Sequence, residues 1–115
     1  MAAYEMLSTI IKTKIMIHHI VMWKLKDSAE GKSKAENAAL IKEKLEDLLE
    51  VVPQIESIQV GINIESEYSN FDVVLDSYFN SFEDLIAYQS HPKHNEVADF
   101  IGKVRAERSC VDYEF

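Results

Sequence analysis

The sequence is poor in the residues that build disulfides, metal clusters and phosphate loops. Its 115 residues include one cysteine, Cys110, three glycines and two prolines. One cysteine cannot form an internal disulfide or a multi-cysteine metal cluster. Three scattered glycines exclude a glycine-rich phosphate loop, and no Gly-x-Ser-x-Gly nucleophile motif occurs. The lack of a disulfide framework is typical of a reducing compartment, so we expect a cytoplasmic protein.

Positive charge is also scarce. The chain has 12 lysines and arginines against 20 acidic residues, which gives a net charge of −8 at pH 7. Nucleic acids and anionic membranes both bind through basic surfaces, so we predict that neither is a partner. The apolar run within residues 1–14 is too short and too interrupted for a secretory signal or a membrane span. We interpret these residues as a leader of uncertain order or an extra packing segment, ahead of a single domain over residues 15–115.

The first strongly apolar pattern lies in residues 15–25. This stretch is rich in β-branched side chains and has no glycine or proline, which predicts a β-strand. Both of its faces are largely apolar, so both must be covered. With 47% apolar and 28% charged residues, the chain has the composition of an ordinary globular domain. We therefore expect its own helices to cover one face and a second copy of the chain to cover the other.

The rest of the chain alternates between helical and extended patterns. Apolar residues recur at helical spacing over residues 35–52, and Pro53 ends that helix. Two strands, residues 55–64 and 71–79, follow around a polar turn. Two short helices come next, and residues 110–115 form a last strand. The order β-α-β-β-α-β predicts an α+β, ferredoxin-like fold with a four-stranded antiparallel sheet.

This fold places both helices on one face of the sheet and leaves the other face bare. We expect an apolar patch there, too large to remain in contact with water. Its predicted members are Met16, His18, Ile20, Met22, Ile58, Val60 and Ile62. Two such sheets packed face to face would bury the patch. The sequence therefore predicts a homodimer in which the two sheets form an α/β barrel.

The joint between the two short helices carries the chemistry-bearing residues. Pro92 cannot continue a helix and pushes His91 out of helical geometry, but it suits the first turn of a new helix. His94 then lies in that first turn, on the side of Val97, and we expect its ring to point inward. The helix N-terminus disfavours the imidazolium form. A neutral histidine near the Tyr88 hydroxyl could act as a general base, or it could be a core or capping histidine bound to a backbone carbonyl.

The other histidines favour structural roles. His91 and His94 have a spacing that can ligate a metal, but Pro92 places His91 outside the helix and no carboxylate or cysteine nearby completes a set. We therefore predict no metal site. His18 alternates with His19 along the first strand, so we expect it at the dimer interface rather than beside the joint.

Several motifs together resemble the stress-responsive dimeric α/β-barrel (Dabb) family over roughly residues 15–115. The resemblance rests on the β-α-β-β-α-β order, a third strand ending in Phe79, Tyr88-x-x-His91-Pro92-x-His94, and the opening strand His19-Ile20-Val21-Met22-Trp23-Lys24-Leu25-Lys26. It implies a homodimer whose two sheets form a barrel. Most members of that family have no assigned activity, and its plant members are known as heat- or stress-induced proteins.

The same resemblance implies a set of site residues. Olivetolic acid cyclase, a plant polyketide cyclase that is distantly similar to this chain, closes its substrate by an intramolecular aldol step in a pocket between sheet and helices. Its catalytic positions match His19, Tyr88 and His94 here. The residues we expect to line the corresponding pocket are Ile17, Val21, Trp23, Phe79, Phe82 and His91. No cofactor is implied.

Three functions remain open from the sequence. The first is an enzyme or binder of a small carbonyl or aromatic compound, with lyase- or cyclase-like acid–base chemistry at His19, Tyr88 and His94. The second is a non-catalytic, stress-related dimer without a substrate. The third is a cofactor-free or haem-handling monooxygenase-like protein of the same dimeric fold, which we rank lower because no haem-ligand context exists beyond these histidines.

Overall fold

A computed structural model of the protein describes residues 15–115. The predicted leader, residues 1–14, lies outside the described residues. From Ile15 onward the regular elements, in chain order, are β1 (Ile17–Leu25), β2 (Ser28–Ala29), β3 (Lys32–Ser33), α1 (Lys34–Glu46), β4 (Ile55–Ile62), β5 (Val73–Phe79), α2 (Phe82–Ser90), α3 (Pro92–Val104) and β6 (Arg105–Glu114).

The four long strands form one sheet in the order β4-β5-β1-β6, and every neighbouring pair is antiparallel. This is the ferredoxin-like arrangement, so the predicted α+β fold class is confirmed. Between β1 and α1 lies the small hairpin β2–β3. Its two turn residues, Glu30 and Gly31, have φ values of 51° and 75°. Positive φ at both positions is the geometry of a tight two-residue hairpin turn, which glycine tolerates best.

Helix α1 begins with a capping box and ends earlier than its apolar pattern suggests. The Ser33 hydroxyl accepts a hydrogen bond from the Glu36 amide, and the Glu36 carboxylate accepts one from the Ser33 amide. The α-helix stops at Glu46, and a 3-10 turn over Asp47–Glu50 continues the chain toward Pro53. Within residues 15–115, no helix is long and apolar enough to cross a bilayer.

The helix–break–helix joint forms where Pro92 predicts it. The Ser81 hydroxyl caps α2 by accepting a hydrogen bond from the Asp84 amide at 3.1 Å. His91 separates the helices with an extended backbone, at φ −67° and ψ 135°, and Pro92 is the first residue of α3. Helices α2 and α3 pack on the same face of the sheet as α1. The core lies between the sheet and these three helices. Its largest fully buried side chains are Tyr88, Phe79, Ile41, Leu75 and Leu85.

Strand β4 faces the opposite way from our expectation. The register pairs Val60 with Leu75 and Ile62 with Val73, so these side chains share one face, and Ile58 alternates onto it as well. Leu75 and Val73 are buried beneath the helices, and Val60 is only 1% exposed. The prediction that Ile58, Val60 and Ile62 belong to the bare face is therefore wrong. Alternation shows which residues share a face, but the register with β5 decides where that face points.

The outer face, which we define as the side of the sheet without helices, keeps the β1 part of the predicted patch. The paired strands add further apolar side chains to it. By register, the outer face carries Met16, His18, Ile20, Met22, Val74, Asp76, Tyr78, Val111 and Tyr113.

Strand β6 starts at Arg105, five residues before the predicted strand. It pairs with β1 along its whole length and forms an edge of the sheet. Its first half carries Arg105, Glu107 and Arg108, which do not give the apolar alternation of a half-buried strand. Charged side chains are common on edge strands, where they oppose edge-to-edge aggregation.

Candidate active site

A cavity of about 280 Å³ lies between the sheet and the helices. It is close to the lower end of the ~300–1,000 Å³ range of small-molecule pockets. Strands β1, β5 and β6 provide its floor and one wall, and the helices provide the rest. The residues that line it are His19, Val21, Trp23, Leu45, Leu75, Tyr88, Gln89, His94, Ala98, Ile101, Gly102, Arg105 and Arg108.

His19 projects from the middle of β1 into this cavity and is 2% exposed. Its Nδ1 is hydrogen bonded to the carboxylate of Asp112, the residue directly opposite it on β6. A carboxylate only accepts hydrogen bonds, so Nδ1 carries the proton. In the neutral ring Nε2 then has a free lone pair, and the Asp112 contact fixes the orientation of the ring.

Tyr88 lies on α2 between the two histidines. Its ring centroid is 6.2 Å from that of His19 and 4.5 Å from that of His94, and Phe79 packs against it at 5.0 Å. The side chain is fully buried, and burial raises the pKa of its hydroxyl well above the usual value. No atom of residues 15–115 hydrogen bonds to its Oη. Buried hydroxyls nearly always have a partner, so this protonated group is an unused donor in a side chain that lines the cavity.

His94 is half-buried in the first turn of α3, in a T-shaped contact with the Tyr88 ring. Burial lowers the pKa of its imidazole, and the nearby His19 and Arg108 act in the same direction, whereas the hydrogen bonds that the ring donates to the Asn95 side chain and the Gln89 backbone oppose the shift. The ring is therefore neutral at pH 7 and can accept a proton.

His19, Tyr88, His94, Val21 and Trp23 all line this one cavity. Their roles remain predictions.

The other four predicted lining residues lie elsewhere. Phe82 is in the first turn of α2 and is 58% exposed. His91 turns back on the joint, where its Nδ1 accepts a hydrogen bond from the Lys93 amide at 3.1 Å and caps α3. Phe79 and Ile17 pack in the core beside the cavity rather than along it. A helix start exposes a side chain whose position in the apolar stripe alone would bury it, as happens at Phe82.

The contribution of β6 was missed from the sequence. Arg108, Cys110 and Asp112 pair with Trp23, Val21 and His19, so all three face the cavity side of the sheet. The alternating spacing of residues 108, 110 and 112 could have identified them. It was not recognised because the strand was predicted to begin at Cys110.

His19, Cys110 and Asp112 also form a set of metal-type donors whose atoms lie within 4.8 Å of one another. The Cys110 sulfur is 3.8 Å from His19 Nδ1 and 3.9 Å from an Asp112 oxygen. Nitrogen, sulfur and oxygen donors of this kind suit zinc. However, Nδ1 is already engaged by Asp112, burial and the Asp112 charge raise the pKa of the thiol, and the Arg108 cation lies beside it. These contacts explain the cluster without an ion.

His18 has its own surroundings on the outer face of the sheet. Its ring stacks on Tyr78 at 4.1 Å, and its two nitrogens contact the Asp76 carboxylate and the Tyr113 hydroxyl. These neighbours leave it 6% exposed within one chain. Its expected place in a dimer interface remains a prediction.

A sequence model of a known family, described as the stress responsive A/B barrel domain (Dabb), matches residues 17–115. A search of curated proteins finds no match to this chain.

Several solved structures resemble the chain. A dimeric protein of unknown function with a ferredoxin-like fold, from Bacteroides fragilis NCTC 9343, is 32% identical with a TM-score of 0.78, over 87% of this chain and 96% of that chain. A dimeric ferredoxin-like protein of unknown function from Thermobifida fusca is 20% identical with a TM-score of 0.76, over 88% and 92%. Hydroxynitrile lyase from Passiflora edulis is 17% identical with a TM-score of 0.73, over 87% and 93%.

Proposed function

Since the chain belongs to the stress responsive A/B barrel domain family, we propose that it is a cytoplasmic homodimer whose cavity binds a small carbonyl compound and performs acid–base chemistry on it. One observation carries the catalytic part of the proposal. A buried, protonated Tyr88 hydroxyl without a partner among residues 15–115 lies between two histidines at a cavity wall.

The proposed reaction begins with a proton on carbon. Neutral His94 removes the proton from the carbon next to a ligand carbonyl, and the Tyr88 hydroxyl donates a hydrogen bond to the oxygen on which negative charge develops. The enolate carbon then forms a bond to a second carbonyl carbon of the same ligand. The proton held by His94 passes to the new alkoxide, so the ring closes without net loss of atoms.

His19 supports this step from the sheet side. Its Nδ1 proton is held by Asp112, which leaves Nε2 as a second acceptor for a hydroxyl or for a water molecule. The arrangement is that of a base whose tautomer is set by a carboxylate, which is common in acid–base active sites.

The proposed homodimer is supported by the neighbours and by the outer face of the sheet. The Bacteroides fragilis and Thermobifida fusca proteins are both described as dimeric. In a single chain of this protein the outer face exposes Met22, Val111 and Tyr113, by 37%, 52% and 41%. A second copy packed there would remove this contiguous apolar surface from water.

The hydroxynitrile lyase is an enzyme with the same fold, but its 17% identity supports the fold alone. Chemistry in this chain therefore requires a direct test. We expect β-dicarbonyl compounds and small aromatic ketones to raise the melting temperature of the protein, and a 1,5-diketone, whose enolate carbon can close a six-membered ring on its second carbonyl, to be turned over. His94→Ala should lower kcat by about 10²–10⁴-fold, the usual contribution of a general base, without changing the dimer.

The matched control is His91→Asn. His91 is the neighbouring histidine of the joint but lies outside the cavity lining, and asparagine retains its capping role. This variant should keep the wild-type rate. If no carbonyl compound shifts the melting temperature of the wild type and none is converted, the catalytic proposal fails and the non-catalytic dimer remains.

A further inference from the structure

The cavity contains all of the arginine in the protein. Arg105 and Arg108 are the only two arginines in the 115-residue sequence, and both line it. The protein carries a net charge of −8, so the two positively charged side chains at the cavity are opposite in sign to the charge of the whole protein. A positive region beside a concave site attracts anions and raises their local concentration.

Within residues 15–115, neither guanidinium forms an ion pair. The ion pairs of residues 15–115 all use lysine or histidine. The carboxylates closest to the arginines along β6 are engaged elsewhere: Glu107 pairs with Lys24 at 3.1 Å, and Asp112 binds His19. Arginine is charged at every working pH, and its planar group matches a carboxylate with two parallel hydrogen bonds.

The strand register sets the backbone of Arg108 apart from that of His19. Arg108 lies opposite Trp23, whereas Asp112 lies opposite His19, four residues further along β6. Four residues of strand span roughly 13 Å. The long Arg108 side chain bridges part of this distance, since its guanidinium lies beside the Cys110 thiol and acts on the nearby His94. The positive charge therefore lies in the same cavity as His19, Tyr88 and His94.

We propose that the ligand of this cavity is a keto acid, whose carboxylate is bound by Arg105 and Arg108 while its carbonyl group lies beside Tyr88. The unpartnered Tyr88 hydroxyl provides the second anchor, since it can donate to the carbonyl oxygen. This inference rests on the cavity proposed above as the active site. It adds the charge of the substrate.

A matched pair of ligands tests the charge directly. 5-Oxo-5-phenylpentanoate and its methyl ester have the same carbon skeleton and ketone but differ in the negative charge. By calorimetry at low salt, the wild-type protein should bind the acid about tenfold or more tightly than the ester, because charge-assisted hydrogen bonds are stronger than neutral ones. The preference should shrink as salt is raised.

The variants Arg105→Gln and Arg108→Gln, singly and together, should remove this preference and leave binding of the ester unchanged. The control is Lys103→Gln, which removes one positive charge at the end of α3 from a residue that pairs with Glu30 at 3.9 Å outside the cavity lining. It should retain the preference for the acid.

The outcomes separate this inference from the proposed catalysis. Arginine-dependent binding of the acid without conversion of any carbonyl compound supports the anion site and removes the enzyme. Equal binding of acid and ester by the wild type, with or without turnover, overturns the keto-acid assignment. So does a preference for the acid that persists in the double variant, or the absence of binding by both ligands.

Discussion

Tyr88 places a polar group where the packing alone would favour phenylalanine. An unsatisfied buried hydroxyl costs about 1–3 kcal/mol, and this one lies against Phe79 and two histidine rings. Nothing in the described contacts recovers that cost in the free protein. The partner that we propose for this hydroxyl is the carbonyl oxygen of a ligand in the cavity.

We therefore predict opposite effects of Tyr88→Phe on stability and on function. The free energy of unfolding should stay the same or rise by about 1 kcal/mol, because the substitution removes an unpaired hydroxyl and little volume. Turnover of a carbonyl substrate should fall. Urea denaturation and steady-state rates measure the two effects, and a loss of stability above about 1 kcal/mol would show that Oη has a structural partner.

The lowered pKa of His94 predicts a pH dependence of stability. Between the folded pKa and the unfolded value near ~6.5, the unfolded chain binds a proton at this position and the folded chain does not. The free energy of unfolding should therefore fall as the pH drops below about 6.5, and this contribution should level off below the folded pKa. His94→Gln should remove that part of the slope in denaturation curves measured from pH 5 to pH 8. An unchanged slope would show that the imidazole titrates normally.

At the scale of elements, burial of one face of β4 beneath α1 is a structural requirement of the fold. Val60 is 1% exposed, and its backbone amide and carbonyl also bind the side chains of Glu46 and Lys42 from α1. We expect Val60→Asp to destabilise the protein by about 3 kcal/mol or more, since it buries an unpaired charge. The same change at Ile64, which is 81% exposed just beyond β4, should cost little. Chemical denaturation of both variants provides the comparison, and similar losses would contradict the assigned register.

Elements that are determined by nearby residues could be predicted from the sequence. Features that depend on which strands pair, and in which register, could not. Pro92 determines the helix break because a missing amide and a fixed ring act within one turn. The direction of β4 depends on its register with β5, and the start of β6 depends on β1 as a partner. The candidate site divides in the same way. His19, Tyr88 and His94 followed from a resemblance, whereas Arg105 and Arg108 required the strand pairing.

At the scale of the whole molecule, the outer face of the sheet should control assembly. Met22 lies at its centre beside Val74, opposite Ser109 of β6. Met22→Asp should produce a folded monomer or a much weaker dimer, because the charge lies on the apolar surface that a second copy would bury. Ile86→Asp, at a comparably exposed side chain of α2 in the helix layer, should leave the dimer intact. Sedimentation at micromolar concentration distinguishes them, and a monomeric wild type would remove the basis for the proposed barrel.

The ten residues of β6 direct alternate side chains to the two faces of the sheet. On the cavity side of the sheet lie Arg108, Cys110 and Asp112. The residues that alternate with them, including Val111 and Tyr113, lie on the outer face. A substitution in β6 can therefore change the side chains of one face without changing those of the other. Deletion of a single residue changes both faces at once, because every later side chain moves to the opposite face of the sheet. Under the proposed function, substitutions in β6 can change the ligand site and the dimer surface independently, but both depend on the same strand length.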